Sequence, residues 1–247
     1  MAGHSKWKTI KHAKAATDKK RGILFTKIIR EITVAAKTGG GDPGGNPRLR
    51  LAIDTAKGVS MPKENIERAI KKGTGELEGV DYQEVSYEGY GPGGVALIVD
   101  ALTDNPTRTV AEVRHAFSKY GGSMGAMNSV AWMFDKCGQV LLDAAGRDED
   151  AVLEQALEAG AQDFRHEGDQ FVVSTAVPDF HAVQAALEAA GFPALEAELA
   201  MVPKNTVKVE GDTVKDLFRL IEALEDLDDV QKVWANFDID EADLPDA

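Results

Sequence analysis

The chain has 247 residues, 43% of them hydrophobic and 28% charged, with one cysteine and a formal net charge of -13. Such a length supports roughly one to three domains with real apolar cores, and Cys137 alone excludes a disulfide scaffold and fits a reducing compartment. No apolar run approaches the roughly 20 residues that span a bilayer, and the basic N-terminus is not followed by a signal-peptide core, which argues against membrane insertion and secretion.

The acidic total hides a split. Residues 1–72 hold 17 Lys+Arg and 6 Asp+Glu, net +11, leaving 11 and 35, net -24, for residues 73–247. Cations massed on a small unit create a local potential that distant carboxylates do not cancel through salt. An anionic partner, nucleic acid first, is the expectation.

The opening stretch, Met1 to Ala16, carries Lys6, Lys8, Lys11 and Lys14 with Trp7 and no acid, and reads as a basic arm. Thr17 and Asp18 offer N-cap chemistry for a helix to about Lys37. In it Phe25, Ile28, Ile29, Ile32 and Ala36 share one face, while Lys19, Lys20, Lys27, Arg30 and Lys37 fall on the other at about 100° per residue. The loop Gly39 to Gly45 stops it, and Asn46-Pro47 starts a second helix with Leu49, Ala52, Ile53 and Ala56 inward and Arg48 and Arg50 near its start. A third runs from Pro62 to Lys72, ends at Gly73, and turns Ile66, Ala69 and Ile70 inward. Three such helices make a small bundle.

Past Gly79 the apolar period changes. Tyr82 to Glu88 and Val95 to Ala101 read as strands around a tight turn, Asn105-Pro106 opens a helix with Val110, Val113 and Phe117 inward, and Ser129 to Phe134 alternates like a strand. From Gly138 to Val202 the order is βαββαβ, a ferredoxin-like unit, and Lys204 onward supplies a strand, a helix and a strand through Phe237. The fold expectation is α+β: a helical domain (1–74), a discontinuous α/β domain (80–136 with 204–240) completed by the terminal βαβ, and a ferredoxin-like domain (137–203) inserted in it.

Enzyme motifs fail on context. Gly89, Gly91 and Gly94 match G-x-G-x-x-G, yet a strand follows where a phosphate-binding helix would have to begin. Ser123 lies in G-x-S-x-G but follows a helix, whereas a nucleophile elbow follows a strand. The five histidines lack metal-ligand spacing, so neither a metal nor another cofactor is expected, and Cys137 beside Lys136 reads as a small packed residue. Met124, Met127 and Met133 with Trp132 read as core in preference to a partner surface. The nucleic-acid candidates are Lys6, Lys8, Lys11, Lys14, Lys19, Lys20, Arg21, Lys27, Arg30, Arg48 and Arg50 for phosphates, with Trp7 for stacking or as a lid on the bundle.

Gly3-His-Ser-Lys-Trp7, the stretch from Lys20-Arg21 to Arg30-Glu31, GGGDPGGNPRLR at 39–50, NIERAIKKG at 65–73, YEGYGPGG at 87–94 and Arg108 to Arg114 with Gly121-Gly122 occur in one order. On these motifs the chain resembles the YebC/PmpR family, departing from it at Pro106, Met124 and Asn128. The resemblance implies a helical domain followed by two α/β domains, a cytoplasmic location, no catalytic activity, and a role either as a DNA-binding transcriptional regulator or as a ribosome-associated translation factor relieving stalling on proline-rich sequences. The expected partners are DNA or ribosomal RNA, the latter on the ribosome; in the DNA-binding reading the acidic domains dimerise or meet another protein, and no membrane partner is expected.

Overall fold

The computed structural model describes the backbone of residues 18–240 and the side chains of residues 21–240. It divides into two compact units, Met1–Met133 with Asn205–Ala247, and Phe134–Lys204.

The first unit begins with three helices, α1 (Asp18–Gly39), α2 (Pro47–Gly58) and α3 (Lys63–Gly73). Asn46 starts α2 as the sequence predicts: its side-chain oxygen accepts the Leu49 N–H at 3.1 Å, and its amide nitrogen donates to the carbonyls of Ala35 and Gly40. One side chain thus caps a helix and ties the preceding loop to α1. Ile28, Ile32 and Ala36 of α1, Leu49, Ala52, Ile53 and Ala56 of α2, and Ile66 and Ala69 of α3 form the bundle core. Gly73 allows close approach of α3 to α1, since a Cβ there would sit 2.3 Å from the Thr33 carbonyl oxygen.

The α/β part of this unit runs β1 (Gln83–Tyr90), β2 (Ala96–Thr103), α4 (Pro106–Lys119) and β3 (Ser123–Met124), and resumes as β8 (Val207–Lys208), α7 (Asp212–Glu225), β9 (Val230–Ala235) and β10 (Phe237–Asp238). The sheet order is β3-β1-β2-β9, with β9 antiparallel to β2, so the terminal segment does return to complete the first block. Val95, Leu97 and Val99 pack with Val113 and Phe117 of α4 and with Val214, Leu217, Ile221 and Leu224 of α7. Val230 to Phe237 is not one strand. Asn236 interrupts it, accepting the Ala96 N–H at 2.7 Å and donating to the Asn205 carbonyl, after which β10 leaves to pair in parallel with β8.

The glycine motif at 89–94 is a hairpin turn: Tyr90 faces Ala96 across the β1–β2 pair, and Pro92–Gly94 form a single turn with Gly93 and Gly94 at positive φ. Asn105 caps α4 through the Arg108 N–H, with Pro106 at the first helical position, where its missing N–H has no partner to lose. The expected strand Ser129 to Phe134 is a correction. Residues 129–133 curl, with a short turn at Ala131–Met133, and the strand starts only at Phe134. Its cause lies in β1, where the Glu88 carboxylate accepts the backbone N–H groups of Asn128, Val130 and Ala131 and draws them away from any ladder.

The second unit contains β4 (Phe134–Asp143), α5 (Glu149–Glu158), β5 (Asp163–Glu167), β6 (Gln170–Thr175), α6 (Phe180–Ala189) and β7 (Ala194–Pro203), with sheet order β5-β6-β4-β7. This is the expected βαββαβ arrangement, with β4 longer than the sequence suggested. Val140, Leu142, Phe171 and Val173 are buried together with Val152, Phe180, Val183 and Leu187. Gly138 is required where α6 meets the sheet, because a Cβ would fall 2.5 Å from the Phe180 ring. Cys137 is half-buried; burial first, then the carboxylates of Asp135 and Asp163, push its thiol above the ordinary range against the opposing pull of Arg165.

Candidate nucleic-acid interface

Lys6, Trp7, Lys8, Lys11 and Lys14 lie outside the described residues, and the side chains of Lys19 and Lys20 lie outside the described side chains. The remaining predicted cations separate into two groups.

Lys27, Arg30 and Arg48 are occupied by the unit itself. The face of α1 opposite the bundle core is covered: Val34, seven residues beyond Lys27, is buried, and the cations beside it point at the α/β part. Lys27 Nζ donates to the Glu225 carbonyl at 2.5 Å. Arg30, 12% exposed, donates to the Asp229 carboxylate at 2.5 Å and to the carbonyls of Asp228 and Leu102, with its guanidinium over the Tyr82 ring. Arg48 bridges Glu31 and Glu84, each at 2.6 Å, and although partial burial opposes the charged form, those two carboxylates raise its pKa.

Asp229 is the centre of the first of these contacts. It is 2% exposed, and besides Arg30 it accepts from Arg108 at 2.7 Å, Thr109 at 2.6 Å and Thr103 at 3.1 Å. Burial acts to raise its pKa, but the hydrogen bonds from Thr109 and Arg108, the charge of Arg30 and the Thr103 hydroxyl outweigh it and hold the carboxyl below the ordinary range. Arg108 is correspondingly raised by its bonds to Asp229 and Asp104.

Arg21 and Arg50 remain exposed. Arg21 lies over the Phe25 ring, and Arg50 is held by the carbonyls of Pro43 and Gly44, which orient the guanidinium without neutralising it. To them the structure adds Arg68, Lys71 and Lys72 of α3, exposed and without an ion pair among the described residues. At about 100° per residue these three lie together, opposite Ile66, Ala69 and Ile70. Lys71 and Lys72 also stand in the last turn, where cations suit the helix dipole. Their signal was present in the sequence as a cationic face opposite an apolar one, overshadowed by the denser run of lysines before residue 21. The neighbouring Lys37, Lys57 and Lys63 are paired with Asp81, Asp54 and Glu67.

Among the described residues no group of three or more His, Cys, Asp or Glu could hold a metal ion, and no helix is long and apolar enough to cross a membrane. Each of these five exposed cations on the helical bundle can contact a phosphate of a polyanion.

Comparison with known proteins gives the family of the chain. The TACO1/YebC N-terminal domain model matches residues 5–76, and the TACO1/YebC second and third domain model matches residues 82–237. A relative from Gemmatimonas aurantiaca is 65% identical over 247 residues, all of both chains, and one from Acidithiobacillus ferrooxidans is 59% identical over 99% of this chain and 97% of its own; each is named a probable transcriptional regulatory protein. A crystal structure of a conserved hypothetical protein from Aquifex aeolicus, 47% identical, superposes with a TM-score of 0.84 over 92% of this chain and 94% of that one. With two family models spanning nearly its whole length and relatives of this identity, the chain belongs to the TACO1/YebC family.

Proposed function

We propose that the protein is a regulator of gene expression that binds nucleic acid through the helical bundle, acting as a DNA-binding transcriptional regulator without catalysis of its own. The observation that carries this reading is the α3 face, where Arg68, Lys71 and Lys72 stay exposed and unpaired in a unit that otherwise neutralises most of its cations. Cations on such a face neutralise phosphates and so release the counterions condensed on the nucleic acid, which favours binding. Arg21 and Arg50 extend the same chemistry on α1 and α2. The names of the relatives support regulation at transcription.

A second reading, contact with ribosomal RNA by a translation factor, is favoured by the composition of that face. Its exposed residues are Lys63, Glu64, Glu67, Arg68, Lys71 and Lys72, with Asn65 part-exposed as its one amide side chain, so charge and shape outweigh base-edge chemistry there.

The test is a salt titration of binding to duplex DNA and to a structured ribosomal RNA fragment. Wild-type protein should show a steep salt dependence that Arg68→Ala, Lys71→Ala and Lys72→Ala together reduce by about 2–3 in slope. An unchanged slope would remove α3 from the interface. Sedimentation of a DNase-treated lysate decides between the readings: persistence with ribosomal particles supports the second, and its absence the first.

A further inference from the structure

The loop that follows β3 is built to hold its shape. Glu88, 7% exposed, gives both carboxylate oxygens to the backbone N–H groups of Asn128, Val130 and Ala131 at 2.7–2.8 Å. Its own carbonyl accepts the Gly125 N–H at 2.8 Å, and the Tyr90 hydroxyl donates to the Ser129 carbonyl at 3.3 Å. Asn128 supplies the left-handed turn at φ 63°, a conformation Asn tolerates better than most side chains. A buried carboxylate saturated by three backbone donors fixes a segment that could otherwise fold its apolar side chains inward.

That fixed loop nevertheless presents Met127 at 83% and Trp132 at 64% exposure, the two most exposed large apolar residues among those described. The expectation that they pack in a core is therefore corrected. Trp132 Nε1–H donates to the Ser129 carbonyl at 3.1 Å, so the polar edge of the indole is tied down and its π-face is what remains for a partner. Two side chains fall far short of the roughly 20–30 residues per side of a stable protein interface, but they match the footprint of one or two bases. The loop itself adds no negative charge: residues 125–133 contain no Asp or Glu.

We propose that Trp132, with Met127 in the same loop, is a stacking platform for an unpaired nucleobase. The platform rests on the nucleic-acid-binding reading and deepens it: the cationic helices hold backbone of any kind, and the loop selects strands with an accessible base. Stacking is tolerant of base identity, so the preference is for single-stranded over duplex nucleic acid without a sequence code.

The experiment compares affinities of the full chain for a short single-stranded RNA and for the duplex of the same length, at one salt concentration. Trp132→Ala should weaken single-strand binding about tenfold and leave duplex binding within about twofold, while Trp132→Phe, which keeps a ring, should retain most of the wild-type affinity. Trp132→Ala binding single strands as the wild type does, or losing both ligands equally, overturns the platform. If the wild type binds and only the α3 variant weakens it, the platform fails and the nucleic-acid reading stands. If the wild type binds neither ligand, both fail.

Discussion

Helices α1 and α3 each carry more Lys and Arg than Asp and Glu, yet their cations have opposite fates. On α1, Lys27 and Arg30 are turned toward the α/β part of the same unit and bonded to carbonyls and to the buried Asp229. On α3, Arg68, Lys71 and Lys72 face outward with no ion pair among the described residues. The difference is one of layers. Helix α1 is packed on two sides, so whatever lies on its second face must be neutralised, whereas α3 is packed on one side and can keep its charge in water. Counting basic residues along a sequence cannot separate these two cases; burial can.

The sharpest way to break the comparison is at Asp229. Replacing it with Ala leaves Arg30 mostly buried without its carboxylate and should destabilise the unit by about 3–5 kcal/mol, read as a lowered denaturation midpoint with the α3 face untouched. The same site carries a pH signature. Because the folded carboxyl titrates below its unfolded value, its contribution is full above about pH 4–5 and is lost as pH falls through the folded pKa. The stability gap between wild type and Asp229→Asn should therefore shrink as the pH is lowered through that window. A gap independent of pH would mean that the Asp229 charge is not what holds α1 in place.

How much of this was legible beforehand follows from distance along the chain. The three helices, the caps at Asn46 and Asn105, the β1–β2 hairpin and the return of the terminal βαβ are written in local periods and turn residues, and the sequence reading has them in the right order. Asp229 is contacted from residues 30, 103, 108 and 109, far away in sequence, and no pattern links them. The segment at 129–133 was misread for the same reason: Val130, Trp132 and Phe134 alternate like a strand, but the group that bends them is Glu88. Arg68, Lys71 and Lys72 are legible as a cationic face opposite an apolar one, but the denser run of lysines before residue 21 is the stronger charge signal in the sequence.

The next largest effect tests the other half of the comparison. Arg68→Ala, Lys71→Ala and Lys72→Ala together should weaken nucleic-acid binding about tenfold to a hundredfold at physiological salt, with little change in stability, since exposed cations on a helix contribute little to folding. The matched variants Lys27→Ala and Arg30→Ala should do the reverse, lowering stability and leaving the salt slope of binding alone. If binding instead follows Lys27 and Arg30, the α1 contacts open when nucleic acid arrives, and the division between the helices is a property of the free protein only.

Arg48 stands between the two classes and should give the smallest response. Its side chain is 38% exposed and bridges Glu31 on α1 to Glu84 on β1, so it is neither buried like Arg30 nor unpaired like Arg68. Half-exposed ion pairs are screened by water and salt, so Arg48→Ala should cost about 0.5–1 kcal/mol in stability, diminishing as salt rises. Removing it also frees two carboxylates near the bundle, which should weaken binding of a polyanion slightly, by about twofold, through repulsion and without loss of a phosphate contact. The two causes differ in their salt dependence: lost contact lowers the counterion-release slope by about one, whereas repulsion from Glu31 and Glu84 fades as salt rises. Arg48→Ala combined with Glu31→Gln and Glu84→Gln should therefore restore wild-type affinity. Failure to restore it would put Arg48 itself on the phosphate backbone.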